Sequence, residues 1–148
     1  LDPIKSSDNN LNLIIELLGA LESAKIDYNV FFHKLTKLKS FDDISSVVDI
    51  AMFRDPLISW FESYKKICEE QNSSFASRFE IMKKTNPKYV IKNYMLQDAI
   101  ELAHEHDFSL VNDLLEIAQN PFDEHEKYEK YAQSTPNEHS NIKLSCSS

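Results

Sequence analysis

A single glycine, Gly19, stands in a chain of 148 residues, and that scarcity excludes more folds than any other feature. Tight hairpins lean on glycine at positive φ, and phosphate-wrapping loops need it so that the backbone can approach. Helices need neither. No segment shows sustained period-two alternation, so no sheet is expected. The expectation is an all-α fold, an irregular multi-helix bundle without a glycine-rich nucleotide loop.

Helical stripes behind capping residues fill the chain in order. Leu11, Ile14, Ile15, Leu18 and Leu21 recur at helical spacing after a cap at Asp8 or Asn9. Gly19 inside that stretch costs about 1 kcal/mol against alanine, which hints at close packing there. Asp27 caps a helix with Val30, Phe31, Leu35 and Leu38. Ser40 with Asp43 is a capping-box variant before Ile44, Val47, Val48 and Ala51. Asp55-Pro56 pairs a cap with a proline at the first helical position, ahead of Leu57, Trp60, Phe61, Tyr64, Ile67 and Cys68. Ser73 or Ser74 caps Phe75, Phe79 and Met82.

Asn86-Pro87 repeats the cap-plus-proline pattern and predicts a helix over 87–105. That helix is apolar around most of its circumference, through Ile91, Met95, Leu96, Ala99, Ile100, Leu102 and Ala103, and is expected to be central. Ser109 caps the last stripe, Val111, Leu114, Leu115 and Ala118, which stops at Asn120-Pro121. Residues 1–132 read as one helical domain and 133–148 as an extended tail.

Hydrophobic residues at 42% and charged residues at 27% are those of an ordinary globular protein. The net charge of −8 is uneven: residues 1–92 hold 13 acidic and 13 basic side chains, and residues 93–148 hold 11 and 3. Such a surface repels phosphate backbones, so no nucleic-acid partner is expected. No apolar run approaches membrane-spanning length, and no secretory signal is visible, so no membrane partner is expected either. Cys68 and Cys146 lie far apart without metal-ligand spacing, and a reducing compartment is the default. The chain opens on Leu1 rather than Met, as a fragment or a processed product would.

Chemical candidates are few. His104-Glu105-His106-Asp107 has metal-ligand residue types, but on a helix residues two apart point nearly opposite ways, so a solvated helix end is the better reading. Asp123, Glu124, Glu126 and Glu129 have no loop glycine to shape a cation site and read as charged surface. Lys83, Lys84, Lys88 and Lys92 form a basic cluster that suits either an acidic partner or simple solvation. Trp60, Phe61 and Tyr64 read as core. No nucleophile–base arrangement stands out, so the residues alone give a helical domain without a visible active site.

Asn86-Pro87-Lys88-Tyr89-Val90-Ile91-Lys92-Asn93-Tyr94 resembles the NPKYVLRNY signature of the selenoprotein O family. The resemblance continues through Gln97-Asp98-Ala99-Ile100, Asp107-Phe108-Ser109 and Leu114-Leu115-Glu116. It goes on through Asn120-Pro121-Phe122-Asp123-Glu124 and Tyr128-Glu129-Lys130-Tyr131-Ala132, and ends at Ser145-Cys146-Ser147-Ser148. Residues 86–132 thus carry the signature within a resemblance spanning 86–148. The first 85 residues resemble the family through helical pattern and the Trp60-Phe61…Tyr64 aromatics.

The resemblance implies a protein-kinase-like fold and a protein adenylyltransferase that moves AMP from ATP to hydroxyl side chains of proteins, with Mg²⁺ or Mn²⁺. The family's ATP- and metal-binding residues lie upstream of the region resembled, so no catalytic, cofactor-binding or metal residue is placed on a position here. The chain is then expected to be the C-terminal helical region of the enzyme. Its partners would be the kinase-like core of the same polypeptide and the protein substrates. The setting would be bacterial cytoplasm, or mitochondria for a eukaryotic source. Eukaryotic members carry selenocysteine near this terminus, which implies a redox role for Cys146, pairing with a cysteine outside these residues. The alternatives are a stand-alone helical interaction module and an enzyme with an unrecognised site.

Overall fold

The structure, a computed structural model, describes residues 7–136, with side chains from Asn9 onward. Those residues form seven α-helices and one 3₁₀ helix and contain no strand. In chain order they are α1 (Ser7–Ala24), α2 (Tyr28–Thr36), α3 (Ser45–Val48), α4 (Asp55–Glu70), α5 (Phe75–Met82), α6 (Asn93–His104), α7 (Ser109–Gln119) and the 3₁₀ helix (Glu126–Ala132). The all-α expectation holds. The chain divides into two compact units between Asn86 and Pro87.

Helix starts follow the local chemistry in part. Asp27 accepts from the N–H groups of Asn29 and Val30 and caps α2, and Ser74 accepts from Ser77 N at 3.1 Å and caps α5. Pro56 sits in the first turn of α4, with Arg54 rather than Asp55 at the cap position. Asp8 and Asn9 fall inside α1, which already includes Ser7. The helix expected after Ser40 is one turn, α3, and Asp43 serves it by accepting from Ser45 N at 3.1 Å. At α7 the capping task belongs to Asp107, whose Oδ1 accepts from Ser109 N at 2.9 Å.

Helix ends show what a chain does without spare glycine. Lys25, Asn72 and His106 adopt φ of 52°, 49° and 64°, one just past each of α1, α4 and α6. In each case the following residue donates back across the turn: Ile26 N to Leu21 O, Ser73 N to Cys68 O and Asp107 N to Leu102 O. These are Schellman closures with non-glycine residues in the left-handed position, where a Cβ is strained. The chain's glycine is elsewhere. Gly19 is exposed within α1, and a Cβ there would meet nothing within 4 Å, so the expected close packing is absent.

The first unit is held by α1 lying along α4. Leu13, Leu17, Ala20, Leu21 and Ala24 join Leu57, Trp60, Phe61 and Tyr64 in one buried cluster, with Phe31 and Leu35 of α2. Trp60 satisfies its indole N–H on Leu13 O at 3.0 Å and stacks on Tyr64 at 4.8 Å between centroids. Of the helical stripe Leu11, Ile14, Ile15, Leu18 and Leu21, Leu21 is buried and the other four point outward. α1 bears two apolar stripes, and α4 covers the one that includes Ala20 and Ala24. Arg78 lies over the Phe75 ring at 4.1 Å and donates to Ser73 O at 2.7 Å.

The second unit corrects the expected helix over 87–105. α6 begins only at Asn93, and residues 87–92 are not helical. The N–H groups of Lys88 and Tyr89 both donate to Pro121 O, at 2.8 and 3.1 Å, so they are not available to a helix. Asn86 caps nothing. Its side-chain amide donates to Thr36 Oγ1 at 2.9 Å, within the first unit. α6 packs on α7 and buries Met95 and Ala99 against Leu114, Ile117, Tyr128 and Tyr131, but Leu96 and Ile100 stay exposed, so it is covered on one side only.

Candidate functional site

Three of the signature stretches converge on Lys88. Its backbone N–H is held by Pro121, and its side chain, although that of a lysine, is only 3% exposed. Nζ donates to Glu124 Oε2 at 2.5 Å and to Glu129 Oε1, and it lies 5.3 Å from the Tyr89 ring centroid. Burial alone would push this ammonium down, but the bonds to Glu124, Glu129 and Tyr89 together hold it above its ordinary range. Tyr89 extends the clasp: its hydroxyl donates to His125 O at 3.0 Å and accepts from His125 N at 3.2 Å. The segment before α6 is thereby fastened to the loop after α7 at three points.

A second polar group joins α7 to the 3₁₀ helix. The Tyr128 ring is 1% exposed, and its hydroxyl donates to Glu116 Oε2 at 2.5 Å. Lys127 Nζ donates to Asp113 Oδ1 at 2.7 Å and to Tyr128 Oη at 3.1 Å. Bonding to Glu116 raises the Tyr128 phenol above its usual range. The His125 ring packs edge-on to Tyr128 at 5.6 Å, and its Nε2, shielded from solvent, finds no hydrogen-bond partner among the described residues. These groups position backbone.

The sequence reading placed Lys88 in a basic surface cluster and Glu124 and Glu129 on a charged surface; the structure pairs them. Lys83, by contrast, just past α5, pairs with the exposed Glu80 at 2.8 Å and lies over the Phe79 ring at 5.3 Å. The His104–Asp107 run has a structural task at each position: His104 ends α6, Glu105 stands at its C-cap, His106 takes the left-handed turn, and Asp107 caps the start of α7. Hydrogen bonds from Ser109 lower the Asp107 carboxyl. Among the described residues no three His, Cys, Asp or Glu side chains are grouped to hold a metal ion. Cys68 is buried, and desolvation pushes its thiol up. Cys146 lies outside the described residues. No described helix is long and apolar enough to cross a membrane.

The sequence model of the family described as protein adenylyltransferase SelO matches residues 1–119. The chain belongs to that family. The match takes in the whole first unit, where the quoted motifs gave only helical pattern and aromatics. The protein nucleotidyltransferase YdiU of Aliivibrio salmonicida is 32% identical over 145 residues, covering 98% of this chain and 30% of that protein. Its counterpart in Aliivibrio fischeri strain ES114 is 35% identical with the same coverage. That of Albidiferax ferrireducens is 35% identical over 136 residues, covering 92% and 27%. The chain spans about 30% of the length of these SelO-family relatives.

Proposed function

We propose that this chain is the C-terminal helical region of a protein adenylyltransferase, an enzyme that moves AMP from ATP to protein hydroxyl groups. The observation that carries the reading is a family match over residues 1–119 in a chain spanning 30% of a relative named as a nucleotidyltransferase. On this reading ATP and Mg²⁺ or Mn²⁺ are held by a kinase-like core elsewhere in the polypeptide. The donor chemistry of the described residues supports that division. Where Glu124 and Glu129 converge, the Lys88 ammonium occupies the space between them, and where Asp113 and Glu116 converge, the Tyr128 hydroxyl does. The role left to these residues is mechanical, holding helices in fixed register for the rest of the enzyme. The bacterial relatives favour a cytoplasmic setting, and the redox role of Cys146 rests on the family resemblance alone.

Labelled ATP with Mn²⁺ tests the reading. The complete reading frame should label protein substrates, and the 148-residue chain should not. Labelling that follows the 148-residue chain through purification would overturn the division of labour. The runner-up, an interaction module without catalysis, gains support from the outward Leu11–Leu18 stripe of α1. A start codon at this segment, with no kinase-like core encoded ahead of it, would favour that module.

A further inference from the structure

α6 and α7 form a helical hairpin whose outer side is an open groove of about 460 Å³. Leu96 and Ile100 line it from α6, Val111 and Leu115 from α7, and these four are 38–55% exposed. Ala99 and Ala103 lie between them, and no polar side chain lines the groove. We infer that this groove seats an apolar helix supplied by the part of the polypeptide that its relatives carry beyond this stretch. The inference rests on the reading of the chain as one region of a longer enzyme.

Two observations select that occupant. The first is length: this stretch accounts for 30% of the Aliivibrio relatives, so most of such a protein lies outside it. The second is chemistry. Surfaces that meet partners transiently are about as polar as the rest of a protein, whereas permanently covered ones resemble a core cut in half. By helical spacing the positions flanking the groove are Gln97 and His104 on α6 and Asn112 and Gln119 on α7. No acid or lysine stands among them to steer a diffusing partner. The alanines let another helix approach at the close axial distance of about 8–10 Å. A permanent, intramolecular helix fits all of this.

The test places a thiol in the groove with Leu115→Cys and follows its alkylation by iodoacetamide, located by peptide mass spectrometry. It is run on the 148-residue chain and on the complete reading frame, each checked by circular dichroism melting. Val111→Cys is read in the same way should Leu115→Cys not fold. The introduced thiol should react roughly tenfold more slowly in the complete protein, whatever the protein concentration. Equal, fast reaction in both overturns the inference. So does protection already present in the 148-residue chain, which means cover from within it, or from a second copy where protection grows with concentration. AMP transfer is measured on the same complete preparation. A sealed groove without AMP transfer sinks the activity reading alone, and an open groove with AMP transfer sinks the docking alone.

Discussion

Replacing Lys88 by methionine removes the ammonium at the centre of the clasp and keeps most of its buried stem. Lys88 is 6% exposed, whereas the side chains of its partners Glu124 and Glu129 are 61% and 53% exposed. The carboxylates therefore rehydrate when the ammonium leaves, and no charge is stranded in the interior. What is lost is two charge-assisted hydrogen bonds. Such bonds contribute about 1.5–3 kcal/mol each when sheltered and about 0.2–1 kcal/mol when exposed. A buried donor with half-exposed acceptors falls between, and relief of the buried ammonium offsets part of the loss, so Lys88→Met should cost about 1–3 kcal/mol. Lys88→Ala also removes three methylenes at about 0.8 kcal/mol each, for a total of about 3–5 kcal/mol.

Trp60, the chain's only tryptophan, belongs to the first unit, so its fluorescence does not report this change. The Tyr89 amide does, because Pro121 O holds it at 3.1 Å in the second unit. Its hydrogen exchange, followed by NMR, should accelerate by about 5- to 150-fold in Lys88→Met and further in Lys88→Ala. The pH dependence has a definite sign. A lysine whose pKa is raised on folding adds stability that is fully present below its unfolded value and is lost as pH rises through the folded one. The contribution of Lys88 should thus hold across neutral pH and fade only in strongly alkaline solution. If both variants exchange within twofold of the parent chain, the clasp is no more than a pair of surface contacts and the reasoning fails.

Gly19→Ala should stabilise the first unit by about 0.5–1 kcal/mol, since the residue is in mid-helix and its new Cβ meets no atom; a loss in a urea melt would show hidden crowding. His106→Gly and Lys25→Gly should each stabilise by about 0.5–1 kcal/mol by relieving the left-handed residues that close α6 and α1. A loss at either position, measured by chemical denaturation, would mean that its side chain contributes more than the strain costs. Met95→Ala should cost about 2–5 kcal/mol in exchange-derived stability, because Met95 is 1% exposed, whereas Ile100→Ala, at 47% exposed, should cost under about 1 kcal/mol. Equal costs would mean that α6 is covered on both sides.

What could be read in the sequence follows the range of the interactions involved. Asp27 and Ser74 cap helices as their spacing predicts, because a cap is settled within three residues by one side chain and two or three N–H groups. Asn86-Pro87 has the same local form and does not start a helix, because the amides of Lys88 and Tyr89 are claimed by Pro121, which local sequence cannot name. The stripes on α1 show that both faces are apolar, but which one is covered depends on where α4 lies. Lys88 is the sharpest case. A lysine spaced by four from Lys84 and Lys92 has the pattern of a solvated helix face, and only the positions of Glu124 and Glu129 make burial tolerable. Both partners sit in stretches that the family signature had already set apart, so the motifs marked the site before its geometry was known. They could not show that the shared feature is a contact between Lys88 and two acids 36 and 41 residues further on rather than a set of chemical groups. A buried lysine paired across such a separation fixes register without making or breaking a bond. That is the kind of work a signature motif can encode.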